Sequence, residues 1–134
     1  AKLSPELRNE ALYYRAKAYT KQKADKKAME DYRELAKDTR NSYGAEAKYQ
    51  VAQSLYDAKE YAAAEKELLN YIEQSTPHAY WLARSFILLS DVYHATGKDL
   101  DARQYLLSLQ QNYQGNDDIE SMIESRLSKL KVEN

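Results

Sequence analysis

The chain has 134 residues with only three glycines and two prolines, and is otherwise rich in Ala, Leu, Lys, Glu, Gln and Arg. That length suits one domain able to bury a core unaided, and that vocabulary belongs to helices rather than strands. A net charge of −1 excludes a general polyanion-binding field, so no nucleic-acid partner is expected, and the absence of cysteine excludes a disulfide framework or a thiol nucleophile.

Helix starts and stops are marked along the chain. Ser4, Pro5 and Glu6 form an N-cap, a first-turn proline and an acidic residue on the positive helix end, predicting a helix over about 5–22. Helical spacing of apolar residues then predicts segments over about 25–39, 44–58 and 61–75, as in Val51, Leu55 and Ala58. Thr76 and Pro77 repeat the N-terminal device for a helix over about 77–96, which Gly97 stops. Asp99 is the expected cap of a sixth helix over about 99–113, Gly115 its stop, and Asn116 or Asp117 the cap of a seventh over about 117–130. Short connections between these segments make neighbours antiparallel. None of the apolar runs approaches the ~20 residues of a membrane span, so direct membrane insertion of this segment is not expected.

Internal repetition is the decisive signal. A small residue, a large apolar residue three later, an alanine nine further on and a large apolar residue after four more recur three times. Ala16, Tyr19, Ala28 and Tyr32 make one copy, Ala52, Leu55, Ala64 and Leu68 a second, and Ser90, Tyr93, Ala102 and Leu106 a third. The repeated alanines lie 36 and then 38 residues apart. A two-helix unit cannot bury its apolar face alone, so such units stack, with small residues where helices cross and large ones between hairpins.

At these residues the chain resembles the tetratricopeptide repeat family, most fully in AEAKYQVAQSLYDAKEYAAAEKELLNYIEQSTP, residues 45–77. Ala52 takes the small slot, Tyr61 opens the second helix, Ala64 lets the helices touch and Pro77 ends the unit. Departures are Lys48 in place of an early aromatic, alanine at 16 and 52 where glycine is common, and Tyr71 in a slot usually given to alanine. The resemblance implies an all-α, right-handed α–α superhelix: three hairpins at about 9–42, 45–78 and 83–116, plus a capping helix at about 117–130. Ile119, Met122, Ile123, Leu127, Leu130 and the stem of Arg126 are the expected apolar stripe of that cap. The stretched, Tyr-rich copies look most like those of bacterial envelope proteins, which favours the periplasm or envelope over the cytoplasm. The first helix resembles a junction between repeats rather than a cap, which implies a longer array.

Chemistry-bearing motifs are few. His94 lies three residues after Asp91, close enough to share a proton or a metal, but no third ligand is spaced for a site. His78 reads as a surface residue beside Pro77, and Asp117 and Asp118 as helix-start residues. Phosphate loops, zinc pairs and nucleophile elbows are not found, so neither catalysis nor a cofactor is expected. The basic run KQKADKK, residues 21–27, reads as a solvated turn, or else as a contact for an acidic surface.

Tyrosine is the unusual feature, with 13 against one Phe and one Trp. Tyr19, Tyr32, Tyr61 and Tyr93 occupy slots where rings pack. In the family the first helix of each hairpin lines a concave groove. The matching positions are Glu10, Tyr13, Lys17, Thr20 and Lys21 in the first copy. They are Glu46, Tyr49, Gln53, Tyr56 and Asp57 in the second, and Arg84, Ile87, Asp91 and His94 in the third. Tyr13 and Tyr49 are equivalent, and either line the groove or pack on the adjacent hairpin. Tyrosine suits a surface that is wet when free and buried when bound. The Lys/Asn clamp used for acidic peptide C-termini is not reproduced. The expectation is therefore a non-catalytic protein-interaction scaffold that binds a peptide segment or partner protein. Alternatives are a self-assembly segment acting through the N-terminal helices, where Leu7 and Leu12 would be exposed, or an accessory domain of a larger complex.

Overall fold

The computed structural model describes residues 4–74 and 77–130. Among these it is all-helical, with α1 (Pro5–Lys21), α2 (Asp25–Leu35), α3 (Ser42–Asp57), α4 (Tyr61–Glu73), α5 (Ala79–Ala95), α6 (Asp99–Asn112) and α7 (Ile119–Leu127). The helices form two layers. α1, α3, α5 and α7 touch in sequence, while α2, α4 and α6 each touch the odd helices on either side and not one another. Among the described residues no helix is long and apolar enough to cross a membrane.

Each α1–α2, α3–α4 and α5–α6 pair is closed by the same device. Lys23, Lys59 and Gly97 adopt left-handed backbone at φ 61°, 62° and 80°. The residue after each returns its N–H to the carbonyl five positions back along the turn: Ala24 to Tyr19 at 2.8 Å, Glu60 to Leu55 at 2.9 Å and Lys98 to Tyr93 at 2.7 Å. The left-handed residues add bonds to Thr20, Tyr56 and His94, completing a C-terminal motif that satisfies the orphan carbonyls of the first helix. Tyr19, Leu55 and Tyr93 are the large apolar residues of the sequence repeat, so one residue both closes the turn and packs.

The repeat's small residues lie at the helix crossings. Ala16, Ala28, Ala52, Ala64, Ser90 and Ala102 are all at most 4% exposed, which lets paired backbones approach closely. Ser90 is tolerated there because its hydroxyl donates to the Ile87 carbonyl at 2.6 Å. Leu68 and Leu106, at 1% or less, fill the space toward the next hairpin, and each such burial contributes roughly 1.5–3 kcal/mol. Tyr32 and Tyr93 are buried as expected, and Tyr61 is half-buried against the edge of Tyr56.

Helix ends differ from expectation where a tertiary contact replaces a cap. Ser4 does cap α1, its Oγ accepting from Leu7 N at 3.2 Å. Thr76 lies outside the described residues; α5 starts at Ala79 behind His78, whose Nε2 sits 2.7 Å from the Arg40 carbonyl and ties two inter-hairpin links together. Asp99 is the first residue of α6 rather than its cap. α6 ends at Asn112 with Tyr113 extended, so Gly115 is not its stop; Asp117 then accepts from Ile119 N at 3.0 Å to start α7. Asn41 caps α3 by accepting from Gly44 N at 2.8 Å, so the helix starts at Ser42, two residues before the expected start. A Cβ on Gly44 would stand 1.8 Å from the Asp38 carbonyl oxygen.

Three outcomes follow for equilibrium urea unfolding. Lys23→Gly and Lys59→Gly each raise stability by about 0.5–1 kcal/mol by relieving left-handed backbone, and Gly97→Ala lowers it by about 1 kcal/mol. Gly44→Ala costs about 2 kcal/mol or more, because its obstacle is backbone.

Candidate interaction surface

Where the successive odd helices α1, α3, α5 and α7 meet, each of the three steps carries polar or aromatic contacts from one helix to the next. At the α1–α3 step, Glu46 on α3 accepts from the Tyr13 hydroxyl at 2.8 Å and from Lys17 Nζ at 2.9 Å. Lys17 also stands 4.9 Å over the Tyr13 ring, and that ring meets Tyr43 at 4.7 Å. A carboxylate only 8% exposed is tolerable because a cation and a hydroxyl hold both its oxygens. Burial raises the Tyr13 phenol above its ordinary value; Lys17 pulls it down and Glu46 pushes it up. Burial alone would lower the Lys17 ammonium, but the hydrogen bond and attraction to Glu46 outweigh it and raise it.

At the α3–α5 step the same relation recurs with the charge reversed. Arg84 on α5 donates from Nη2 to the Tyr49 hydroxyl at 3.1 Å and from Nη1 to the Tyr80 hydroxyl at 2.8 Å. The guanidinium lies 5.0 Å from the Tyr49 ring centroid, 5.8 Å from Tyr80 and 5.9 Å from Trp81. Its Nε is shut off from solvent without an acceptor. Burial opposes this charge, yet the two tyrosine hydroxyls outweigh it and raise the Arg84 pKa. Tyr49 passes its own proton to Gln53 at 3.0 Å, and Gln53 donates on to Asp57 at 2.9 Å. Tyr80 donates to Asp118 at 3.0 Å, carrying the chain to the start of α7.

The α5–α7 step is a salt bridge: Arg126 reaches Asp91 at 3.2 and 3.4 Å. Burial raises the Asp91 carboxyl, and Arg126 only partly offsets it. Tyr56 lies half-buried nearby, its phenol raised chiefly by burial and then by the Asp91 charge.

Several expected groove residues have other roles. Tyr49 is 5% exposed, so its ring is inter-hairpin packing beneath Trp81 and Arg84, with only the hydroxyl given to the network. Tyr13 is half-buried in the equivalent place. Ile87, 1% exposed, is core among Leu106, Leu109 and Ile119. His94 does not meet Asp91; its Nδ1 lies 2.8 Å from Asp99 across the hairpin turn. Arg126 contributes its charge as well as its stem. Glu10, Thr20 and Lys21 are exposed on α1, with the Thr20 hydroxyl returned to the Ala16 carbonyl at 3.0 Å. Tyr80, Trp81, Asp118 and Arg126 were not foreseen as site residues. Tyr80 and Arg84 share a helix face at i, i+4, the one signal that could have found the cluster.

Compared with protein-family models and with curated proteins, the sequence matches none.

The network and the packed Tyr93 ring set an alkaline limit. Lys17, from 10.5, and Tyr13, Tyr80 and Tyr93, from 10.0, are all raised in the folded chain. Above these values the unfolded chain has released protons that the folded one still holds, so stability falls as pH rises. Thermal scans are expected to give a flat Tm from about pH 7 to 9.5 and a decline above about pH 10. Glu46→Gln costs about 1–2 kcal/mol at neutral pH, moderated by the exposure of Lys17.

Proposed function

We propose that this chain is a non-catalytic interaction scaffold of the tetratricopeptide-repeat type, which binds an extended or helical segment of a protein partner along the odd-helix layer. One observation carries the reading: four successive helices contribute to a single face where half-exposed charges and tyrosines from different hairpins are already held in place. Groups fixed by their neighbours lose little freedom on binding, which is where preorganised surfaces gain affinity. The recurrence of one turn, one crossing and one packing pair in three hairpins supports the superhelical form. Odd helices that touch, over even helices that do not, support reading the odd face as the inner, concave one.

Arg84 gives the groove its character. Its charge is met by phenol oxygens and ring faces rather than by a carboxylate among the described residues. A partner segment with an acidic residue at this point would meet a stacked, partly desolvated guanidinium, the kind of anchor that dominates interfaces. Lys17 and Arg126, at 43% and 30% side-chain exposure, flank it from paired positions where they tune the rim.

Peptide-display selection on the whole chain, followed by titration calorimetry of the enriched peptides, tests the proposal. Enriched sequences are expected to carry Asp or Glu, and Arg84→Ala weakens their binding at least about tenfold, or 1.4 kcal/mol. Glu73→Lys on the exposed side of α4, away from the groove, leaves binding unchanged. Binding that survives Arg84→Ala but is lost with Glu73→Lys moves the site to the even layer and sinks the reading.

A further inference from the structure

The odd helices share a second stripe, which meets the network at Tyr43, Trp81 and Arg126, at positions i, i+4, i+7 and i+11. In α3 it is Tyr43, Ala47, Gln50 and Ser54; in α5 Trp81, Ser85, Leu88 and Val92; in α7 Ile119, Ile123 and Arg126, with Leu130 just past its end. Each faces the preceding hairpin. Ala47 is 0% exposed in the cluster with Ala16, Tyr32 and Leu35. Ser85, Leu88 and Val92 are at most 2% exposed, with Leu88 and Val92 packed in the cluster that holds Leu68. Ile119 and Ile123 are at most 2% exposed against Leu106 and Leu109. The covering residues are equivalent too: Tyr32 with Leu35, Leu68, and Leu106 with Leu109; Tyr71, 0% exposed, holds on α4 the position of Leu35 and Leu109, so each even helix carries a large buried pair three apart.

The same stripe in α1 is Leu7, Ala11, Tyr14 and Ala18, and all four are exposed, Leu7 at 54% and Tyr14 at 59%. α1 is thus apolar on two sides: Leu12, Ala16 and Tyr19 face α2, and this stripe faces outward. We propose that the outer stripe of α1 is a docking surface for a further helix hairpin of this same pattern, whose second helix presents a large apolar pair three residues apart. The chain makes that interface in one register between its own hairpins, so the occupant is specified by continuity rather than by hydrophobicity alone. A second copy cannot supply the pair stacked end to end, because α7 already covers Leu106 and Leu109 and turns exposed Glu120, Ser121, Glu124 and Ser125 outward. The stack is open at α1 and closed at α7. This inference stands apart from the groove reading.

The test extends the full chain by a copy of residues 41–78 joined directly before Pro5, which reproduces the α4-to-α5 junction because Ala79 holds in α5 the place of Pro5 in α1. A second extension, a copy of residues 4–40, reproduces the α2-to-α3 junction and guards against misfolding of the first. At least one extension is expected to raise Tm by about 4 °C or more and to abolish nitration of Tyr14 by tetranitromethane, mapped by mass spectrometry. Leu7→Glu with Ala18→Glu reverses both gains while shifting the unextended Tm by no more than about 2 °C. Unchanged Tm and Tyr14 reactivity in both extensions overturns the proposal. So does a dimeric mass of the unextended chain with Tyr14 protected, which makes a second copy the occupant.

Discussion

Close approach of paired helices at small residues is the constraint on which the molecule rests. Ala16 with Ala28, Ala52 with Ala64, and the buried Ser90 and Ala102 leave room for paired backbones to come near enough for the large residues beside them to reach the next hairpin. A larger side chain at any of these points would push the hairpin open and separate the cluster beyond it. The turn motif at Lys23, Lys59 and Gly97 fixes the angle at which the two helices leave each other. Two of those three positions tolerate left-handed backbone on lysine, so the turn geometry outweighs the local preference of the residue that makes it.

With hairpin geometry fixed, stacking orders everything else. The odd layer is the tighter of the two, and side chains from successive odd helices meet there. Burial then sets the chemistry. Glu46 cannot be sealed beneath the first hairpin without Lys17 and Tyr13, and Arg84 cannot enter the second step without the phenol oxygens and rings around it. Both steps use tyrosine in the same way: the ring packs between hairpins and the hydroxyl serves the network. Phenylalanine could do the first and not the second, which accounts for tyrosine's prevalence along this layer.

The network and the outer stripe of α1 are two faces of one regularity. Each odd helix offers one edge to the network and one to the hairpin before it. The network edge carries polar groups that hold one another, and the packing edge carries apolar groups that need a neighbour. Among the described residues, α1 alone has its second edge exposed.

Local rules acting along the chain determined the all-helical class, seven helices to within a few residues, the small residues at the crossings and the three-fold repetition. Helical period, capping and turn residues act over a few positions and leave their mark on the sequence. Tertiary structure alone decided that Tyr49 is buried while Lys17 is half-exposed, that Ile87 belongs to the core, that His94 turns to Asp99 rather than Asp91, and that Arg84 enters an aromatic cluster. Those outcomes depend on side chains from different helices meeting, as Arg84 and Tyr49 do from 35 residues apart, and on a desolvation cost that exists only once the hairpins close. Repeat register places a residue on a face; what stands opposite it decides whether that face is surface or core.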